Sequence, residues 1–68
     1  MGANFTDREW EVIRLWADGY NHESAAYQLG VKHDTVKQYY TKISRKLGVN
    51  SSAQIVAWFY KSHWKPKD

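Results

Sequence analysis

Only Val31 and Lys32 lie between Gly30, which ends one stretch of helical patterning, and the next such stretch at His33; no other feature of this 68-residue chain constrains its fold as much. Helices joined across so short a turn must meet at a sharp angle, which is the helix-turn-helix layout. The helix before the turn runs from an Asn21 N-cap to about Leu29, with Ala25, Ala26 and Leu29 on its inner side. The helix after it covers about His33 to Leu47 and places Val36, Tyr40, Ile43 and Leu47 at steps of four, three and four. Its other face carries Lys37, Gln38, Thr41, Lys42, Arg45 and Lys46, and Gly48 closes it.

Two further helices flank this pair. Thr6 and Glu9 have the spacing of a capping box, with Phe5 ahead of them as a staple, and Val12, Ile13, Leu15, Trp16 and Tyr20 supply an apolar face to a helix of about Asp7 to Ala17 that Asp18-Gly19 stops. The last helix, capped by Ser51 or Asn50, extends from about Ser52 to His63. It has two apolar stripes, Ala53-Val56-Ala57-Tyr60 and Ile55-Trp58-Phe59, one more than a core needs. Trp10, Trp58 and Trp64, with Phe59, exceed what so small a core should need to bury: one reading is a tryptophan-rich core with snorkelling edges, and the other, the sharper expectation, is that Ile55, Trp58 and Phe59 form a dimer or partner surface. The core is predicted to span about residues 5 to 63, in a single domain covering residues 1 to 68 whose tail, 64 to 68, frays.

Charge is sorted along the chain. Residues 1 to 34 hold three basic and six acidic side chains, whereas residues 35 to 68 hold seven basic ones and a single acid, Asp68. A basic half on a small domain is the footprint of a polyanion binder, because neutralising phosphates releases condensed counterions. The absence of cysteine excludes a disulfide framework, and the apolar runs are too short for a signal peptide or a membrane span, which predicts a cytoplasmic protein. His22, His33 and His63 are far apart with no helical i, i+4 pairing, so no metal site is expected. With no nucleophile-base-acid order and no glycine-rich phosphate loop, neither an enzyme nor a cofactor is expected.

The segments F-T-D-R-E-W-E-V-I, A-D-G-Y, L-G-V-K-H-D-T-V-K and I-S-R-K-L-G-V-N-S-S-A-Q occur in that order between Phe5 and Trp58. Taken together they resemble the LuxR/GerE-type DNA-binding domain of bacterial transcription regulators, over about four fifths of the chain. The resemblance implies an all-α, four-helix domain whose third helix enters the major groove and whose fourth mediates dimerisation. It places base contacts on Lys37, Gln38 and Thr41, and phosphate contacts near Thr35, Tyr39, Lys42, Arg45 and Lys46. The chemistry of these side chains agrees: lysine donates to guanine, glutamine pairs with adenine, and hydroxyls and cations suit phosphate oxygens.

The chain departs from the family pattern at defined places. Lys32 stands where serine or threonine usually caps the third helix, and Asp34 adds a negative charge to its first turn. His22, Glu23, Ser24 and Ala25 replace the usual asparagine, lysine, glutamate and isoleucine, and Tyr39 replaces a frequent histidine. These changes predict altered specificity or weaker DNA binding. The expected function is therefore sequence-specific binding of double-stranded DNA as a small dimeric transcription regulator. The competing expectation is a module of the same fold that binds a regulator or an RNA polymerase subunit. A promoter-reading domain of the sigma-factor kind is a third possibility, disfavoured by the L-G-V-N-S-S-A-Q run.

Overall fold

The computed structural model describes residues 4 to 62, which form α1 (Asp7–Ala17), α2 (His22–Leu29), α3 (His33–Leu47) and α4 (Ser52–Ser62). The expected end of the last helix at His63, Trp64 and the tail lie outside the described residues.

Local chemistry sets the helix ends. At α1 the Glu9 amide donates to the Thr6 hydroxyl at 3.1 Å, and the Thr6 amide donates to the Glu9 carboxylate at 2.9 Å, completing the capping box. Asn21 and Ser24 make the same reciprocal pair at the start of α2, at 2.8 and 2.9 Å. For α4 the choice falls on Ser51, whose hydroxyl accepts from the Gln54 amide, while the Gln54 side chain accepts from the Asn50 amide. Lys32 makes no side-chain cap for α3.

Gly30 (φ 70°) and Gly48 (φ 71°) end α2 and α3 in the left-handed region that side chains with a Cβ avoid. The next amide reaches back in each case, Val31 to the Ala26 carbonyl and Val49 to the Ser44 carbonyl. This closure lets α3 begin three residues after Gly30.

The core contains Val12, Ile13 and Trp16 from α1, Ala25 and Ala26 from α2, Val36 and Ile43 from α3, and Ile55 and Phe59 from α4. On α2 the two alanines leave room for α3 to pack closely across the turn. Tyr40 and Leu47, expected on the α3 core stripe, are half-buried at its margins, as is Leu29 on α2.

The two stripes of α4 are inverted relative to the expected arrangement. Ile55 has no exposed surface and Phe59 retains only 9 % of its own, so neither can belong to an outward partner surface. Ala53, Ala57 and Tyr60 are exposed instead. The reason is area: burying isoleucine and phenylalanine removes far more apolar surface from water than burying alanines, at about 25 cal/mol per Å². Trp58 is half-buried in an aromatic group at the edge of the core, stacked on Trp10 at 6.0 Å, with Phe5 meeting both rings edge-on.

Candidate nucleic-acid interface

The outer face of α3 presents Lys37, Gln38, Thr41, Lys42 and Arg45 to solvent. Burial of Val36 and Ile43 on the opposite side fixes the rotation of the helix about its axis, which turns these polar positions outward. Lys37 and Thr41 stand one turn apart, and the Thr41 hydroxyl donates to the Lys37 carbonyl at 3.1 Å. That bond fixes the Thr41 rotamer and leaves its oxygen lone pairs as acceptors. Gln38 adds an amide with both donors and an acceptor. Among the described residues no carboxylate pairs with Lys37, Lys42 or Arg45. A row of uncompensated cations beside adaptable hydrogen-bonding groups can hold phosphates and contact base edges.

Thr35 and Tyr39, expected at phosphates, are half-buried at the flanks of this face. Lys46 is placed differently from the expectation. Its ammonium donates to Glu9 Oε1 at 2.8 Å and to the Asn4 carbonyl at 2.9 Å, and it lies 5.3 Å from the centre of the Phe5 ring. Its charge is thus engaged in tying the end of α3 to the start of α1.

Glu9 is 3 % exposed. Burial raises the pKa of its carboxyl, but the Lys46 hydrogen bond, the Thr6 backbone bond and the Lys46 charge together outweigh that and hold it below 4.5. The pair spans 37 residues of sequence, so no local spacing signals it.

A second arrangement escaped the sequence reading. His22 opens α2 and His33 opens α3, and the fold brings their rings to 6.1 Å between centres. His22 rests against Trp16 at 5.3 Å and Tyr40 at 5.4 Å. The sharp crossing of the two helices explains the meeting, since it brings the far end of α2 against the face of α3 that carries His33 and Tyr40. Burial lowers the His22 pKa from 6.5, and the charges of His33 and Lys37 lower it further.

The described residues contain no group of three or more histidine, cysteine or acidic side chains placed to hold a metal, and no helix long and apolar enough to cross a membrane.

Residues 3–59 match the family described as "Bacterial regulatory proteins, luxR family". The chain is 37 % identical over 59 residues to the transcriptional regulatory protein DesR of Bacillus subtilis, covering 87 % of this chain and 30 % of that protein. It is 37 % identical over 56 residues to the transcriptional activator protein PhzR of Pseudomonas fluorescens, covering 82 % of this chain and 23 % of that one. Identity to the transcriptional regulatory protein DegU of Brevibacillus brevis is 36 % over 59 residues, covering 87 % of this chain and 25 % of DegU. The chain therefore spans between about a quarter and a third of the length of these curated relatives.

Proposed function

The chain belongs to the luxR family of bacterial regulatory proteins, and we propose that it acts as a helix-turn-helix domain that binds double-stranded DNA with α3 in the major groove. One observation carries this reading: Lys37, Gln38 and Thr41 are exposed together on α3, flanked by Lys42 and Arg45, with no carboxylate paired to these cations among the described residues. In this reading Lys37, Gln38 and Thr41 contact base edges. Thr35, Tyr39, Lys42 and Arg45 hold the backbone on either side, in the cytoplasm where bacterial DNA lies. Two copies would place their α3 helices in successive major grooves of a roughly palindromic site, one helical turn apart. The exposed Ala53 and Ala57 of α4, beside Tyr60, support dimerisation there, because the small alanine side chains let two helices approach closely.

Lys37→Ala tests the assignment. Binding to a random-sequence duplex, measured by anisotropy over a series of salt concentrations, should weaken, and the slope of log affinity against log salt should fall by about one if the ammonium lies near a phosphate. An unchanged affinity and slope would remove Lys37 from the interface.

One observation favours a second reading, binding to a regulator or a polymerase subunit. Tyr27 is 84 % exposed on α2, whose outward side also carries Glu23 in place of a cation. Tyrosine in such a position suits a protein partner more than a phosphate backbone. A chain working only in this way would show no salt-dependent binding to random duplex DNA.

A further inference from the structure

We propose that His22 and His33, one from each helix of the helix-turn-helix, form a phosphate clamp beside the base-reading Lys37 that takes up protons as DNA docks, so that DNA affinity rises as pH falls. The inference rests on the DNA-binding reading and adds to it a site and a regulating signal.

The geometry supports a shared anion. The two imidazoles are 6.1 Å apart between ring centres, and Lys37 lies one helical turn beyond His33 on the same side of α3. A backbone phosphodiester has two non-bridging oxygens, each able to accept from one imidazole, and can bridge groups at this spacing. The two imidazoles meet here, and among the described residues neither they nor Lys37 is paired with a carboxylate.

The surroundings supply no competing acid. From α1 His22 meets the Trp16 indole, and from α3 the Tyr40 phenol, His33 and Lys37. The groove that His22 lines continues over Tyr20 and Asn21 to Ser52, Ala53 and Val56, which bear no carboxylate. Glu23 and Asp34 follow the two histidines in sequence, yet neither forms an ion pair with an imidazole.

Burial against Trp16 and Tyr40, and then the charges of His33 and Lys37, make His22 hold its proton less readily than an isolated histidine in the free chain. A phosphate reverses the balance by giving the imidazolium groups a counter-charge. By linkage, any group that gains a proton on binding makes affinity climb with acidity through the histidine range. The clamp also accounts for a gap in the α2 face: Glu23 removes a cation beside the backbone, and His22 restores one under mildly acidic conditions.

The test is a titration of a fluorescein-labelled random duplex at low salt, from pH 8.0 to pH 5.5, with the full chain and with the His22→Gln/His33→Gln double variant. His63 remains in both proteins, so its own titration cancels in the comparison. The full chain should bind about tenfold tighter at the acidic end, the effect of one proton gained with a shift of about one pKa unit. The double variant should show a flat profile, within about twofold by the same linkage. Equal pH dependence in the two proteins, with binding intact, overturns the clamp and leaves the DNA-binding reading standing. No binding by the full chain at any pH overturns both. Circular dichroism and thermal melting at each pH establish that the variant is folded, and His22→Gln and His33→Gln singly, each keeping the other histidine, should show intermediate profiles.

Discussion

The Glu9 carboxylate joins three parts of the chain: it accepts from the Thr6 amide and from Lys46, and Lys46 also holds the Asn4 carbonyl. Removing the cation leaves a nearly buried negative charge with its backbone partner alone. Lys46→Met should therefore destabilise the fold by about 2 kcal/mol at pH 7, less than a fully buried pair because the lysine side chain is partly exposed. The pH dependence has a definite sign. A carboxyl held below 4.5 in the folded state contributes stability that is present above 4.5 and is lost as pH falls through the lower, folded value. The penalty of Lys46→Met measured by urea unfolding should accordingly shrink in acid, and adding Glu9→Gln should recover part of it. Additive single and double losses would show that the two side chains are not coupled. The Thr6–Glu9 half of this arrangement is legible in the sequence because capping boxes are local. The Lys46 half is not, because its partner Glu9 lies 37 residues away. The meeting of His22 and His33 is hidden for a related reason: they stand on different helices, so no spacing along one helix links them, and only the crossing of α2 and α3 unites them.

At the level of the helices, boundaries were legible wherever a side chain satisfied backbone groups or a glycine adopted a left-handed turn, as at Thr6, Asn21, Gly30 and Gly48. The orientation of α4 was not, because both of its stripes are apolar and periodicity cannot rank them. Side-chain size decides it, and the consequence can be measured. Ile55 is fully buried within one chain, so Ile55→Ala should cost about 3 kcal/mol of unfolding free energy, combining lost transfer energy with a cavity. Chemical denaturation at several protein concentrations reads this loss. A variant that unfolds at the wild-type midpoint but dissociates would restore Ile55 to a partner surface. For α3, by contrast, the inward and outward faces are legible, since no second apolar stripe competes with Val36 and Ile43, although Tyr40 and Leu47 on the same stripe reach only the core margin.

For the whole molecule, the inversion of α4 moves the proposed dimer contact from bulky side chains to the exposed stripe of Ala53, Ala57 and Tyr60. Two helices that meet along alanines pack closely and bury little area per residue, so the association of free chains should be weak and DNA should strengthen it by holding two copies side by side. Ala57→Glu separates this role from folding. The position is solvent-exposed, so the substitution should change unfolding free energy by no more than about 0.5 kcal/mol. Across a two-fold contact it brings two carboxylates together, and a penalty of about 1.4 kcal/mol would weaken pairing about tenfold. Sedimentation with and without a duplex should show wild-type chains reaching a two-chain complex at lower protein concentration than Ala57→Glu. The Lys37-bearing face is unchanged by the substitution, so single-chain binding to DNA should persist in the variant. Identical assembly of the two proteins would place the dimer contact elsewhere, and loss of all DNA binding in the variant would show that α4 acts on α3 within one chain.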